Sequence, residues 1–333
     1  MVLPEEIQRL HSDVPSRRSQ RWGGDTSSVP LGAFSPTDRA ALEGLYEKLQ
    51  GLQSAFEEVG YDGEEAREIF DAIVSSGRWR EMLKLARSIQ EEPQEEVDRD
   101  LFLKVRHDIR GGALTRLLNL FQFAERGMLK DHEFSQSYLR VRDHTKIMRN
   151  GVPDLDRERY ERDLRERMHD VGLLREKWSE SRFFDAEEIV EARVHCDFSG
   201  PISDRCVEFA ALDRVVYNLM NNAIQGRAGG EVELFLTAGG GEGRSNLLIA
   251  VRNQVEEEQA RRLRGSFGGS DLSDLLRGGY TTGGQGLGMR ICADFVCFAY
   301  GVNFEEAIGE GYVGAKLEEQ NFIAWVHWPV VGG

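Results

Sequence analysis

Apolar residues recur at three- and four-residue steps from Leu42 through Leu45, Tyr46, Leu49 and Leu52, the spacing of one helical face. Ser35-Pro36-Thr37-Asp38 opens the stretch, since Pro in a first turn after a Ser cap needs no amide donor there. Ile69, Ile73, Trp79, Met82 and Leu85 carry a second helical stretch, and the acidic run Glu91 to Glu96, with Pro93 inside it, reads as a solvated joint. From Asp98 a strong amphipathic helix is predicted, with Leu103, Ile109, Leu114, Leu117, Leu118, Phe121 and Ala124 mostly on one wide face. Residues 128–132 read as a turn and 133–150 as a shorter helix closed by Asn150-Gly151. Two helices cannot bury so wide a stripe between themselves. A second copy would complete a four-helix bundle, so a homodimer is expected.

Pro153-Asp154-Leu155-Asp156 starts the next unit, with a charged helix to about Glu180. Strand-like stretches follow at Val194–Phe198 and Ile202–Glu208, then a helix from Leu212, alternating segments at Val232–Thr237 and Leu247–Val251, and a last strand around Trp325–Trp328. This mixture predicts an α+β sandwich with helices on one face of a sheet. Residues 1–35, rich in Ser, Arg, Gly and Pro, show no lasting apolar period and are expected to be flexible or ordered by a partner. The expected organisation is a flexible segment 1–35, a helical input or partner-binding region 36–95, a hairpin 96–151 and a larger domain 152–333.

Composition narrows the classes. No run of about 18 apolar residues occurs, so no membrane span is predicted. The start, M-V-L-P-E-E-I-Q-R-L, lacks the basic and apolar regions of a secretory signal, and a cytoplasmic location is expected. A net charge of −15 opposes a sequence-independent grip on nucleic acid. Cys196, Cys206, Cys292 and Cys297 form no C-x-x-C pair and read as reduced thiols.

Three stretches carry candidate chemistry. In Leu212 to Ala223, L-D-R-V-V-Y-N-L-M-N-N-A, Asn218 and Asn222 stand at i and i+4 on one helical face. Paired amides can hold a hydrated Mg²⁺ against a nucleotide phosphate, because a hard cation takes oxygen ligands. The strand L-L-I-A-V-R-N ends in Asn253, whose amide both donates and accepts and so can read an adenine edge. A polar, Gly-rich segment, Gln254 to Gly279, leads to T-T-G-G-Q-G-L-G-M, in which Gly284, Gly286 and Gly288 precede an apolar helical run from Met289 to Phe298. That is the layout of a phosphate-binding turn feeding a helix N-terminus.

In this order, N-L-M-N-N-A, a strand-end Asn, a polar lid and T-T-G-G-Q-G-L-G-M resemble the ATP-binding domain of two-component sensor histidine kinases, a branch of the superfamily shared with the chaperone and mismatch-repair ATPases. The resemblance covers Pro153 to the end of the sequence. It implies ATP and Mg²⁺ as ligands, Asn222 as the Mg²⁺ ligand, Asn218 as its phosphate-side companion and Asn253 as the adenine reader. Thr281, Thr282, Gly284, Gly286, Leu287 and Gly288 would make the lid hinge and phosphate turn. It also implies a dimerisation and phosphoacceptor hairpin upstream, where His107-Asp108-Ile109-Arg110 resembles the family's H-[DE]-L-[RKN] box, about 110 residues before the Asn pair. An imidazole attacks a phosphoryl group only through a free ring nitrogen; Asp108 is placed to orient the ring and Arg110 to steady phosphate charge. The other histidines, His11, His132, His144, His169, His195 and His327, have no such setting. Expected partners are a second copy, the receiver domain of a response regulator, and an upstream sensor acting through residues 1–95.

Departures from the family pattern modify these expectations. Gly112 replaces the usual Pro five residues past the His, and Gly111 stands where a Thr or Asn often positions phosphatase water, which predicts a poor phosphatase. Asn253-Gln254-Val255-Glu256-Glu257 replaces D-x-G-x-G, and Gln225 replaces a frequent cation, leaving Arg227 or Arg261 to substitute. The leading expectation is autophosphorylation of His107 followed by transfer to an aspartate of a separate regulator. The alternative is a phosphotransfer or scaffold protein with a degenerate kinase domain. A hydrolysing ATPase or serine kinase ranks last, because Asn218 stands where hydrolysing relatives carry the Glu that activates water.

Overall fold

The structure, a computed structural model, describes residues 3–11, 14, 28–90, 92–94, 97–179, 181–185, 188–239, 246–280 and 286–330. The chain divides into two compact units, Gly23–Arg165 and Met1–Trp22 together with Glu166–Gly333. A single helical turn, α1 (Glu5–Gln8), belongs to the second. No helix among the described residues is long and apolar enough to cross a membrane.

The first unit is helical: α2 (Pro36–Val59), α3 (Glu64–Ser76), α4 (Arg78–Ser88), α5 (Arg99–Arg110), α6 (Gly112–Glu125), α7 (Asp131–Phe134), α8 (Gln136–Gly151) and α9 (Arg157–Asp163). Caps fix the starts of the two longest-read stretches. The Ser35 hydroxyl accepts from the Asp38 amide at 3.1 Å, with Pro36 at the first helical position, and the Asp98 carboxylate accepts from the amides of Asp100 and Leu101. Each such cap contributes about 1 kcal/mol.

The wide stripe on α5 and α6 is covered from within the chain. Phe121 stacks on Phe70 of α3 with ring centres 5.2 Å apart and lies 6.2 Å from Trp79 of α4. Phe102 packs on Phe34 at 4.8 Å, and Ile109, Leu114 and Leu117 are fully buried in the same core. Burying side chains of this size contributes roughly 1.5–3 kcal/mol each. The helices of residues 36–88 therefore do the covering that a second copy was expected to do, and burial of this stripe no longer argues for a homodimer.

The second unit is built on a six-stranded sheet. Its elements after α1 are β1 (Glu166–Asp170), α10 (Gly172–Trp178), β2 (Arg182–Asp185), β3 (Glu188–Cys196), β4 (Pro201–Arg205), α11 (Cys206–Gln225), β5 (Val232–Gly239), β6 (Asn246–Gln254), α12 (Glu257–Phe267), α13 (Gly288–Tyr300), α14 (Phe304–Gly309), β7 (Val313–Glu318) and β8 (Asn321–Pro329). The strand order is β2-β3-β5-β6-β8-β7, with β3 and β5 parallel and the other pairs antiparallel; β1 and β4 form a separate two-stranded sheet. The expected α+β class holds. Residues alternate along β6, so Leu248 and Ala250 lie on one face while Ile249, Val251 and Asn253 lie on the other. The first face receives the N-terminal segment: Ile7, fully buried, packs with Phe235, Leu248, Ala250 and Ile323.

Several expected boundaries moved. The charged helix expected from 153 to 180 is interrupted by β1, because pairing of His169 with Ser203 and stacking of the His169 ring on Phe209 at 4.7 Å outweigh local helix preference. The stretch 202–208 is strand only to Arg205; α11 begins at Cys206, with Ser203 Oγ bonded to both Arg205 O and Glu208 to shape the turn. The polar lid contains α12, whose narrow buried stripe of Ala260 and Leu263 is flanked by Arg261–Glu257 and Arg262–Glu258 pairs. Residues 3–11 are not without structure: Ile7 anchors them to the sheet. The continuous helix expected from Asp98 breaks at Gly111, with Gly112 at φ +53°.

Candidate active site

In the helical unit the His107-Asp108-Ile109-Arg110 box, the expected phosphoacceptor stretch, ends α5. His107 keeps about a quarter of its side chain exposed, whereas Asp108 beside it is buried, and Nδ1 of His107 lies 3.2 Å from Asp108 Oδ1. A ring held at Nδ1 by a carboxylate presents Nε2 outward with its lone pair free. Arg110, at the last position of α5, is partly exposed. The break follows at once: the Gly111 amide bonds to the His107 carbonyl at 3.0 Å, and the chain then turns sharply. The bend expected from the two glycines is present, and it is a full interruption of the helix.

A residue passed over in the sequence lies against this box. His144, on α8, is fully buried, and neither ring nitrogen has a hydrogen-bond partner. Burial pushes its pKa down to about 4, against the smaller opposing pull of the Ile109 carbonyl and the Asp108 and Asp143 carboxylates. Its proximity to the box follows from the packing of α8 on α5, which no local motif announces.

In the sheet unit, α11 carries Asn218, buried, and Asn222, partly exposed. Gly288 opens α13 directly against them. A Cβ on Gly288 would stand 3.2 Å from Asn222 Nδ2 and 3.5 Å from Asn218 Oδ1, so glycine lets the helix start lie this close to both amides without pressing on Asn222. Gly286 has φ +66°, and a Cβ there would meet the Tyr280 carbonyl at 2.8 Å. The Gly279 amide bonds to the Gly286 carbonyl at 3.3 Å, pinning the two ends of the glycine turn together. Leu287 precedes α13 as its N-cap. Thr281, Thr282 and Gly284 lie outside the described residues.

The polar atoms left over match the ligand expected there. Asn218 Nδ2 is buried without a partner, an arrangement that ordinarily costs about 1–3 kcal/mol. Asn253, buried at the end of β6, spends its Nδ2 on the Gln254 carbonyl at 3.2 Å and leaves Oδ1 unsatisfied. The free end is an acceptor, the half that an exocyclic amino group needs. Among the described residues no three His, Cys, Asp or Glu side chains cluster as a metal site. A Mg²⁺ would thus find Asn222 Oδ1 and its own waters, a sparse protein set that this ion commonly accepts. These residues fit a magnesium nucleotide. Arg261 pairs with Glu257 one turn earlier on the exposed face of α12. The Cys292 and Cys206 thiols are buried, Cys196 and Cys297 partly so, and burial raises Cys297 to about 11, which suits inert thiols.

No family profile and no curated protein matches the chain. Solved structures do. The catalytic domain of histidine kinase ThkA aligns at 16% identity and TM-score 0.28 over 42% of this chain and 80% of that one. Full-length ShkA in complex with AMPPNP aligns at 15% identity and TM-score 0.31, over 68% of this chain and 44% of that one. Histidine kinase AdeS of Acinetobacter baumannii aligns at 13% identity and TM-score 0.27, over 66% and 95%. This chain spans less than half of full-length ShkA. Similarity this low carries no functional weight, so the reading of the site rests on its own geometry.

Proposed function

We propose that the protein is an ATP-dependent histidine kinase that phosphorylates His107 and passes the phosphoryl group to an aspartate of a separate response regulator. The observation that carries this reading is the junction of α11 and α13. There a glycine lets a helix start approach two amides, one of them with a buried, unsatisfied donor. Asn253 would accept from the adenine amino group through Oδ1, and the backbone amides at the start of α13 would face the phosphates. Magnesium, when bound, would neutralise phosphate charge during transfer. At the box, Nε2 of His107 attacks the γ-phosphorus, the bond to the β–γ bridging oxygen breaks, and ADP leaves. Asp108 holds the Nδ1 proton and accepts it as the ring becomes neutral phosphohistidine.

A second reading keeps the phosphoacceptor and drops the kinase. It is favoured by the segment after Asn253, where a buried Val255 and an immediate α12 stand in place of the glycines that the adenine box commonly carries. Incubation with γ-labelled ATP and Mg²⁺ separates the two. Acid-labile, base-stable label that both His107→Ala and Asn222→Ala abolish supports the kinase; no label together with no nucleotide binding by calorimetry leaves the phosphotransfer protein. Sedimentation of the same preparation tests the homodimer.

A further inference from the structure

The N-terminal segment is held to the sheet by more than Ile7, and its other ties reach the strands that frame the amide and glycine site. Glu6 pairs with Arg252 of β6, which also donates through Nε to Glu233 of β5 at 2.6 Å. Arg252 immediately precedes Asn253, so the two side chains leave β6 on opposite faces. Beyond them the ladder holds a single further pair, Gln254 with Asn321, and a strand end of this kind opens most readily. Ile7 packs in the cluster that includes Ile323, the residue directly across from Arg252 in β8. The Glu6 carbonyl accepts from Lys316 Nζ of β7 at 3.1 Å. Lys316 forms a bridge with Asp271, and its neighbours hold the same stretch: the Leu272 amide donates to the Ala315 carbonyl and the Leu317 amide to the Ser270 carbonyl, both at 2.8 Å. From there the chain runs to the glycine turn. One short segment thus grips, on the face opposite Asn253, both the strand end that carries Asn253 and the strand that anchors the approach to the turn.

We propose that residues 3–10 are a positioning element for the nucleotide site, so that nucleotide affinity depends on whether Ile7 is seated on the sheet. Ile7 is the anchor, being fully buried where Leu3 and Leu10 are only partly so. Glu6 carries the effect to the site: its side chain and that of Arg252 are each about one-fifth exposed, and a pair sheltered in this way is screened less than one in open solvent. With the segment undocked, Arg252 loses one of its two carboxylates and Lys316 loses the Glu6 carbonyl, and the end of β6 is left to its last ladder pairs. The coupling is reciprocal, so bound nucleotide must hold the segment down by the same factor as the segment favours nucleotide. The inference rests on the nucleotide reading of Asn218, Asn222 and Asn253, and adds to it a point of control at the N-terminus, away from any atom the nucleotide would touch.

The test measures binding of a non-hydrolysable ATP analogue with Mg²⁺ to the full chain by calorimetry, beside the thermal unfolding of each variant. Ile7→Asp places a charge in the apolar cluster and undocks the segment, whereas Ile7→Val keeps it seated. Glu6→Gln leaves Ile7 and the Glu6 carbonyl in place and removes the charge that holds Arg252. Ile7→Asp should weaken binding roughly tenfold, within the range usual for coupled sites. Glu6→Gln should weaken it about threefold, the scale of a partly exposed ion pair, and Ile7→Val should match the wild type. Hydrogen exchange of the wild type should show residues 3–10 gaining protection when the analogue is bound. If Ile7→Asp does not fold, Ile7→Ala against Ile7→Val makes the same comparison. A folded, undocked variant that binds the analogue as the wild type does overturns the proposal, and a lower melting temperature with unchanged affinity leaves the segment as packing. Wild-type protein that binds no nucleotide defeats the nucleotide reading and the coupling with it; equal affinities in wild type and variants defeat the coupling alone.

Discussion

Asp108 in the helical unit already has its partner 3.2 Å away on His107, while in the sheet unit Asn218 Nδ2 and Asn253 Oδ1 are buried with nothing to bond. The two regions differ in what they store. The box is assembled from charges and histidines whose protonation matters, so its sensitivity should be to pH. The amide and glycine site is assembled from neutral dipoles that lack a counterpart, so its sensitivity should be to ligand.

The largest effect is expected from acid. His144 has a folded pKa of about 4, below its usual 6.5, so between those values the unfolded chain binds the extra proton. Its contribution is complete above about pH 6.5 and is lost as pH falls toward 4, in all about 3 kcal/mol. The check is thermal unfolding of wild type and His144→Leu across this range. The wild type should lose stability relative to the variant; parallel curves would mean that His144 is not held neutral.

Ligand should move the other unit by slightly less. A non-hydrolysable ATP analogue with Mg²⁺ at one hundred times its dissociation constant adds about 2.7 kcal/mol to whatever it binds. Hydrogen exchange should show the protection in α11, β6 and the start of α13. Protection appearing in α5 and α8 instead, with α11 unchanged, would reverse the assignment of ligand sensitivity.

How far these sites were legible in the sequence follows the same division. Asn218, Asn222, Gly286 and Gly288 stood out because an i, i+4 pair and spaced glycines are local patterns that need no tertiary knowledge. His107 and Asp108 are adjacent, and their contact was equally local. His144 was missed because 37 residues separate it from His107 and only the packing of α8 over the break joins them. The covering of the α5–α6 stripe by α2–α4 was missed for a related reason. Apolar periodicity shows that a face must be buried and does not say by which element. β1 was hidden by charged residues whose local preference is helical, and α12 by polarity that left it only a two-residue buried stripe.

Asn253 offers a sharper test of the proposed nucleotide site. Asn253→Ala removes the unsatisfied acceptor and should weaken nucleotide binding by about 2 kcal/mol, near thirtyfold. Asn253→Asp keeps an acceptor in place and should retain binding. Calorimetry distinguishes these outcomes, and equal loss in both variants would show that the donor bond to Gln254, present only in the native side chain, is what the site needs.

The smallest effect is expected at Gly112, and its size is the point. Its φ of +53° penalises any side chain, but a Cβ there meets only Ile147 Cδ1 at 3.7 Å, an ordinary contact. Gly112→Ala should therefore cost about 1 kcal/mol through backbone strain alone. At Gly286 the same change drives a Cβ to 2.8 Å from the Tyr280 carbonyl, which a backbone atom cannot easily yield. If the break after the His107 box serves only to turn the chain, Gly112→Ala lowers the melting temperature and leaves the rate of His107 phosphorylation near that of the wild type. A rate that falls further than the stability would mean that the angle between α5 and α6 is itself part of how Asp108 meets His107, and the box would then be no more self-sufficient than the glycine turn.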